Sequence, residues 1–319
     1  MSYVSTTRLA FGTALLLMAA GCNSTTDTPA PVAEMDSLVS VEWLAEHIDD
    51  PDLVVLDCSV MVEPTDDGGF RTVSGRANFE AGHIPTAGFA DLHGALSDPD
   101  SPLDYAVPDP EVFAAAMAEL GVGDNTRVVL YDANMSVWAA RVWWMLRWIG
   151  FDNAALLDGG QVAWTAAGHE LSQAPASEPV RSLSVNLRPE LIVDKNEVLA
   201  AIDDESVDLI DALPEAQYRG DAVMYARPGH IPTASNVSVM SLRAEDGRFR
   251  STEELDALFD GDRDQRTITY CGGGIAASGN AFIMTRLGFE DVAVYTASLQ
   301  EWAADPSLPM ETSRTTDAE

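Results

Sequence analysis

Basic residues, cysteines and long apolar runs are all scarce in this chain of 319 residues. The sequence has 18 lysines and arginines against 51 aspartates and glutamates, for a formal net charge of −33. Lysine occurs once, as Lys195. So acidic a surface repels phosphate groups, which excludes nucleic acids and anionic lipid head groups as partners. The three cysteines Cys22, Cys58 and Cys271 are too few for a disulfide framework.

The longest apolar run near the amino terminus, from Leu9 to Ala20, is too short to span a bilayer as a mature helix. It ends in "LMAAGC", which resembles a bacterial lipobox, although Ala19 stands where that pattern prefers leucine. The resemblance implies that Cys22 is lipidated and becomes the first residue of the mature chain. The alternative is an ordinary signal peptide with an incidental cysteine.

On this interpretation, residues 1–21 are a lipoprotein signal peptide and residues 22–35 are a flexible tether rich in proline and threonine. We therefore expect a lipid-anchored protein of the bacterial cell envelope, facing the periplasm. Its contact with the membrane would be through the amino-terminal anchor alone.

The rest of the chain repeats itself. The segment "GHIPTA" occurs at residues 82–87 and again at 229–234, and similar strand-like and helix-like segments flank it in the same order. Identity over six residues at matching places indicates a duplicated domain. Each half alternates short β-branched runs with helical patterns, which is typical of βα units around a parallel sheet.

We therefore predict an α/β fold of two tandem domains, each with a central, mostly parallel sheet flanked by helices. The predicted domains are residues 36–172 and 182–311, joined by a linker at 173–181 that contains two prolines and followed by a polar tail at 312–319. The predicted central elements are the strands 53–57, 128–131, 208–211 and 267–270 and the helices 139–149 and 276–287.

Cys271 lies between a predicted strand and a predicted helix, and three glycines, Gly272, Gly273 and Gly274, follow it. Such a turn lies at the carboxyl edge of a parallel sheet, where open α/β folds bind their ligands. Glycines allow successive backbone amides to point inward, and the positive end of the helix dipole adds to the attraction for an anion. The pattern therefore predicts a nucleophilic thiolate held in a cradle of N–H groups.

Several other cysteine chemistries do not fit the sequence. A cysteine-dependent phosphatase needs an arginine six residues after the cysteine, where Ala277 stands, and a thioredoxin-like motif needs a cysteine at Gly274. A cysteine protease needs a partnered histidine. His83 and His230 both belong to the repeated "GHIP" segment, so we expect them to support a turn. The sequence has neither a cluster with metal-ligand spacing nor a cofactor motif, so we expect no metal and no cofactor. The remaining reaction is attack on sulfur, with the sulfur carried as a persulfide.

The duplicated "GHIPTA", the "LDGG…W" element and "YCGGGIAA" resemble the tandem-domain rhodanese-like sulfurtransferases, over essentially residues 40–305. In that family the amino-terminal domain has usually lost its cysteine, and here Asp132 aligns with Cys271. The resemblance therefore implies an inactive first domain that walls the active cleft and a catalytic Cys271 in the second. Cys271 would take a sulfane sulfur from thiosulfate or 3-mercaptopyruvate and pass it to cyanide or a thiol. The amides expected to bind the sulfur group belong to Gly272, Gly273, Gly274, Ile275, Ala276 and Ala277.

The sequence departs from the family at the positions that bind the anionic donor. Gln217 stands where the family has an arginine, and Arg219 keeps the second arginine of that motif. Because an anion approaching so acidic a chain needs a local cation, Arg219 and Arg227 are the candidate donor ligands. The alternative for each is a surface arginine paired with a carboxylate. Because position 217 lacks the arginine of the family, a second function also stays open, that of a non-catalytic binding or sensor module of the cell envelope.

Overall fold

The computed structural model of the chain describes residues 1–3, 5, 35–65, 69–133, 135–175 and 179–313. The predicted lipidation site, Cys22, lies outside these residues, as do nearly all of the predicted signal peptide and tether. Among the helices of the described part, none is long and apolar enough to cross a membrane.

The first half of the chain folds around a five-stranded parallel sheet. Its strands are β1 (Leu38–Val39), β2 (Leu53–Asp57), β3 (Val60–Pro64), β4 (Phe70–Ser74), β5 (Gly88–Phe89), β6 (Arg127–Tyr131) and β7 (Ala154–Leu157). The parallel sheet has the order β1-β7-β6-β2-β5, and β3 and β4 form a separate antiparallel hairpin.

The second half repeats this sheet. Its strands are β8 (Ile192–Val193), β9 (Val207–Asp211), β10 (Ser235–Asn236), β11 (Arg266–Tyr270) and β12 (Val292–Tyr295). They are all parallel in the order β10-β9-β11-β12-β8, which is the order of the first sheet read from the other edge. The prediction of two tandem domains with parallel sheets is confirmed.

Helices connect the strands in both halves. They are α1 (Val41–His47), α2 (Arg76–Ala81), α3 (Pro110–Glu119), α4 (Val137–Trp148), α5 (Gly160–Ala166), α6 (Lys195–Ala201), α7 (Glu215–Arg219), α8 (Thr252–Asp256), α9 (Ile275–Arg286) and α10 (Ser298–Trp302). Short 3₁₀ helices cover Pro189–Leu191 and Val239–Leu242.

Local sequence explains the main elements. Strands β2 and β6 are buried along their whole length, as expected for strands covered on both faces by helices. Helix α6 begins with a capping box, in which Asp194 accepts the backbone N–H of Glu197 and the Glu197 side chain accepts that of Asp194. Helix α9 ends before Gly288, whose φ of 87° is in the left-handed region.

The "GHIP" histidines support the same turn in both halves. His83 Nδ1 lies 2.8 Å from the carbonyl oxygen of Phe79, and His230 Nδ1 lies 2.7 Å from that of Tyr218. Each imidazole also stacks on the ring of the same partner. As expected from the repeat, both histidines therefore hold a turn.

The two halves pack against each other through α4 and α9. The aromatic segment Val142–Trp148 of α4 is almost entirely buried, which confirms that it is a core face. The ring of Trp143 meets that of Phe282 on α9 edge to face, with 4.9 Å between centroids. Truncating a buried tryptophan of this kind costs roughly 3–5 kcal/mol. This contact fixes the first half beside the loop that precedes α9.

Candidate active site

Cys271 is the first residue after β11, at the carboxyl edge of the second sheet, and its residue surface is 2% exposed. Its backbone N–H donates to Ser298 Oγ at 3.0 Å, and that hydroxyl donates to the carbonyl of Tyr295 at 2.6 Å. The carbonyl of Cys271 accepts the N–H of Leu299 at 3.1 Å. The first two residues of α10 therefore fix the backbone of the cysteine on both sides.

Close contacts explain the three glycines of the loop. A Cβ on Gly272 would stand 1.6 Å from the hydroxyl oxygen of Tyr225, and a Cβ on Gly273 would stand 2.9 Å from Gln300 Nε2. Gly274 is the N-cap of α9 with a φ of 79°, a conformation that disfavours other residues. Tyr225 and Gln300 can therefore lie directly on the loop because it has no side chains there.

Asp132, the counterpart of Cys271 in the first half, shows how this kind of loop holds an anion. Its carboxylate accepts four backbone N–H groups at 2.7–3.2 Å, those of Met135, Ser136, Trp138 and Ala139. Carboxylates bound in this way stabilise the amino-terminal end of the following helix. The structural role expected for Asp132 matches these contacts.

The two loops can be aligned through the left-handed residue that precedes each helix. That residue is Ser136 in the first half, with a φ of 58°, and Gly274 in the second, with a φ of 79°. The loop after Asp132 is therefore one residue longer than the loop after Cys271. On this alignment, the amides that correspond to those bound by Asp132 belong to Gly273, Gly274, Ala276 and Ala277. They are all within the segment predicted to cradle the sulfur.

Cys271 opens into a cavity of about 740 Å³ that both halves line. The second half contributes Leu213, Met224, Tyr225, Val239, Cys271, Gly272, Gly273, Ile275, Ala276 and Gln300. The first half contributes Val62, Phe70, Arg71, Thr72, His93, Asp104, Tyr105, Met135, Val137 and Trp138. Of the six loop residues predicted to bind the sulfur group, Gly272, Gly273, Ile275 and Ala276 line this cavity.

The cavity wall is mostly apolar and aromatic, with few charges. Arg71 lines it from β4 and is paired with Glu63, with 2.9 Å between Nη2 and Oε2. Burial raises the pKa of the Tyr225 hydroxyl well above its ordinary value, and a charge on Cys271 raises it further. Burial also raises the pKa of Tyr105 to about 12. Both phenols are therefore protonated at neutral pH.

The structure places the two arginines that were predicted to bind the donor, Arg219 and Arg227, away from the cavity at Cys271. The guanidinium of Arg227 donates to four backbone carbonyls at 2.7–2.9 Å, those of Trp302, Ala303, Asp305 and Leu308, and so caps the end of α10. Arg219 pairs with Glu215 and lines a different cavity, beside Asn236 and Ser238. Neither is among the described residues that line the cavity at Cys271.

Sequence reasoning missed the cavity residues that the fold brings from elsewhere. Tyr225 stands two residues before Arg227 in "YARPGHIP", and only its packing on Gly272 reveals its place. Gln300 joins the two halves at the rim, since its side chain exchanges hydrogen bonds of 3.0 and 2.9 Å with the backbone of Asp104. The sequence pointed to these residues only through the expectation that the first half forms one wall of the cleft.

Comparison with known sequences agrees with this architecture. A sequence model of the rhodanese-like domain matches residues 40–167 and 194–305. The chain is 36% identical over 280 residues to the 3-mercaptopyruvate sulfurtransferase of Escherichia coli, which covers 86% of this chain and 97% of that one. It is 33% identical over 280 residues to the thiosulfate sulfurtransferase of Rattus norvegicus, which covers 83% of this chain and 91% of that one.

Solved structures show the same fold. The crystal structure of SseA, a 3-mercaptopyruvate sulfurtransferase from Escherichia coli, matches with a TM-score of 0.72 and 34% sequence identity, covering 83% of this chain and 99% of the other. The anaerobic ergothioneine biosynthesis enzyme from Chlorobium limicola matches with a TM-score of 0.74, covering 88% of this chain and 71% of the other. At 24% identity, the second match shows a shared fold alone.

Proposed function

Because the chain belongs to the rhodanese-like sulfurtransferases with two tandem domains, we propose that it transfers a sulfane sulfur through a persulfide on Cys271. Sulfur transfer is the activity of this chain. The observation that carries the assignment to Cys271 is its place at the floor of the cavity between the halves, at the start of a loop whose counterpart binds a carboxylate through four amides.

The reaction balances without a redox partner. The Cys271 thiolate attacks the outer sulfur of thiosulfate, the sulfur–sulfur bond of the donor breaks, and sulfite leaves with the electron pair. With 3-mercaptopyruvate the carbon–sulfur bond breaks instead, the electron pair forms the enolate of pyruvate, and the proton of the donor's thiol ends on the methyl carbon. Cyanide or a thiolate then removes the terminal sulfur and regenerates the Cys271 thiolate.

The cavity favours 3-mercaptopyruvate over thiosulfate as the donor. Thiosulfate carries two charges close together and needs strong cationic contacts, whereas the wall is mostly apolar and its Arg71 is already paired with Glu63. 3-Mercaptopyruvate carries one carboxylate and also needs a proton on its carbon leaving group. The hydroxyl of Tyr225 lies against Gly272 beside Cys271 and stays protonated at neutral pH because burial raises its pKa, so it can donate its proton to the strongly basic enolate carbon and take up the proton of the donor's thiol in return.

The alternative, a binding or sensor module that uses the same fold without catalysis, is not favoured. A binding module has no need for a cysteine at the floor of its cavity, and the first half demonstrates that aspartate can stabilise the same loop. The two functions predict different results for the variant Cys271→Ser.

The test is thiocyanate formation by the full-length chain, with cyanide as the acceptor and each donor offered separately. We expect turnover with 3-mercaptopyruvate to exceed turnover with thiosulfate, and Cys271→Ser to abolish both. Cys58→Ser is the matched control, because Cys58 is fully buried and burial holds the pKa of its thiol high, so its loss should leave turnover unchanged. If Cys271→Ser retained wild-type turnover, the assignment would be wrong.

We also propose that Cys22 is lipidated and anchors the chain in the bacterial cell envelope, facing the periplasm. The support is the "LMAAGC" sequence at the end of a short apolar run. Mass spectrometry of the mature protein should find an acylated amino-terminal Cys22. A mature chain that begins elsewhere, without a lipid, would refute the anchor and leave the sulfurtransferase assignment untouched.

A further inference from the structure

Arg141 is a buried arginine of the first half that lies against the cysteine loop of the second. It stands on α4, and its residue surface is 0% exposed. Its Nη1 lies 3.0 Å from the point where a Cβ on Gly274 would stand. Gly274 is three residues after Cys271 and is the N-cap of α9. The guanidinium of the inactive half therefore reaches the back of the loop that carries the nucleophile.

The guanidinium of Arg141 is only partly satisfied. Its Nη2 donates to the backbone carbonyl of Tyr105 at 2.9 Å, whereas its buried Nε and Nη1 have no hydrogen-bond partner among the described residues. Nor does it form an ion pair with any carboxylate in that part of the chain. Burying an uncompensated charge is strongly unfavourable, so a structure that keeps one needs a counter-charge close by.

The charge state of Arg141 responds to Cys271. Burial lowers the pKa of the Arg141 guanidinium to about 10, which still leaves it charged at neutral pH, and a negative charge on Cys271 raises that pKa. The attraction is mutual, because a cation that is stabilised by a thiolate also stabilises the thiolate.

The first half has an arginine at the position of Arg141, and the second half has a residue without a charge at the equivalent position. Aligned from the left-handed residues Ser136 and Gly274, Arg141 on α4 corresponds to Gly279 on α9. Gly279 has no side chain and packs closely on Val239 and Val137. The loop of Asp132 satisfies its own carboxylate with four amides, whereas the loop of Cys271 has an arginine behind it, supplied by the other half.

We propose that Arg141 is a positioning residue for sulfur transfer: its buried charge, placed behind the Cys271 loop by the inactive half, stabilises the thiolate and the persulfide anion of Cys271. The part of this proposal that concerns the persulfide rests on the proposed function. The part that concerns the thiolate does not, because thiolate formation can be measured without turnover. This role also gives the inactive half a chemical contribution beyond walling the cavity.

Other titratable groups act on the same place, so the test must separate Arg141 from them. They are Tyr225, which packs on Gly272, Asp211 at the end of the neighbouring strand, and the residues Arg71, His93, Asp104 and Tyr105 of the first half, which line the same cavity. All of them are unchanged in the variants used here, so a difference between variant and wild type reports Arg141.

The test measures the rate of alkylation of Cys271 by iodoacetamide as a function of pH in the full-length chain, with the modified site identified by peptide mass spectrometry. In Arg141→Met, which keeps the length of the side chain without its charge, we expect the midpoint of the pH profile to rise by about one unit or more. Below both midpoints, alkylation should be about tenfold slower than in the wild type. Arg141→Lys, which keeps the charge, should restore most of the wild-type midpoint.

Arg147→Gln is the matched control. It removes an arginine from the same helix, but one that pairs with Asp152 and stacks on Trp143, so the midpoint should not change. A folded Arg141→Met with a wild-type midpoint would overturn the proposal, whether or not the protein proves to be a sulfurtransferase.

If Arg141→Met does not fold, the melting temperatures of two modified forms of the wild-type chain provide the test. Loading Cys271 with a persulfide, which is anionic, should then raise the melting temperature above that of the chain whose Cys271 has been converted to a neutral thioether by iodoacetamide. Equal melting temperatures, or a lower one for the persulfide, would overturn the proposal.

Discussion

Asp132 and Cys271 each follow the central strand of their own sheet directly, and each precedes a helix that packs on the other half. The tyrosine before each of them, Tyr131 or Tyr270, accepts the backbone N–H of the isoleucine in "GHIP" at 3.1 or 3.0 Å. The two halves therefore share the same strand, helix and tyrosine contact around this position. The residue at the position is a fixed carboxylate in the first half and a nucleophilic sulfur in the second.

The first prediction concerns the stability of the inactive half. In Asp132→Asn one of the two acceptor oxygens becomes an NH₂ group, which would face backbone N–H donors without a partner. We expect the free energy of unfolding to fall by about 1–3 kcal/mol. Denaturant titration of the folded chain is the measurement.

The control for this prediction is Asp109→Asn. Asp109 caps α3 by accepting one backbone N–H, that of Glu111, and asparagine caps helices about as well as aspartate. Its stability should stay close to that of the wild type. An equal loss in both variants would show that the four contacts of Asp132 are not special.

The second prediction separates the two donors by the proton that only one of them needs. Tyr225→Phe removes the hydroxyl beside Cys271 and keeps the ring that packs on the loop. We expect turnover with 3-mercaptopyruvate to fall about a hundredfold, since its leaving carbon must be protonated, and turnover with thiosulfate to change less than about threefold. Initial rates of thiocyanate formation with each donor measure both.

An equal loss with both donors would assign Tyr225 to the packing of the loop. A second variant distinguishes these roles further, because Gly272→Ala would place a Cβ 1.6 Å from the Tyr225 hydroxyl oxygen and must displace the ring. It should therefore lower turnover with both donors together.

The sequence predicted which segments form the central strands and helices better than it predicted the residues at which those elements begin. Strand β2 matches the predicted 53–57, and β6 and β11 each begin one residue earlier than predicted. Helix α4 begins at Val137, two residues before the predicted start, because the chain turns at Ser136 with a positive φ. A serine in the left-handed region gives no signal in its sequence, whereas Gly274 at the equivalent place does.

The candidate site was predictable where its residues are neighbours along the chain and not where they meet through packing. Cys271 and its glycines form one continuous segment, so their chemistry can be read from residue types. Arg227 could not be judged in the same way, because four carbonyls from residues 302–308 satisfy its guanidinium only in the folded chain. Arg141 also looks like a core residue of an aromatic helix until α4 is placed against α9.

The third prediction tests which arginine meets the donor. Arg71 lines the cavity with an exposed side chain held by Glu63, so in Arg71→Gln we expect the KM for thiosulfate to rise about twofold to fivefold, the range for an exposed ion pair. The smaller charge of 3-mercaptopyruvate should give a smaller rise. Arg219→Gln, which alters a different cavity, should leave both KM values unchanged.

Steady-state kinetics at two salt concentrations measure these effects. The effect of Arg71 should shrink at the higher salt, because the side chain is exposed and its field is screened. If Arg219→Gln raised KM and Arg71→Gln did not, the donor would be bound outside the cavity at Cys271.

The fourth prediction uses the buried carboxyl group of Asp211, at the end of β9 beside the cysteine strand. Burial raises the pKa of Asp211 to about 7, although its Oδ1 accepts the N–H of Leu213 at 2.8 Å. The folded-state pKa lies above the unfolded-state value, so the carboxyl group of Asp211 ionises more readily in the unfolded chain. The wild type therefore loses stability as the pH rises from about 4 to about 7. Asparagine keeps the acceptor for Leu213 without this charge.

In Asp211→Asn we therefore expect stability relative to the wild type to increase from pH 5 to pH 8, by at most about 3 kcal/mol. Denaturant titrations of both proteins at each pH measure the difference, and the other carboxyl groups cancel because both chains contain them. Asp57→Asn in the first half is the matched comparison, since Asp57 accepts the N–H of Ser59 at 2.8 Å and its pKa is also raised by burial. A stability difference for Asp211→Asn that stays constant with pH would show that Asp211 is ionised in the folded chain across this range, and that the neighbouring amides compensate its charge fully.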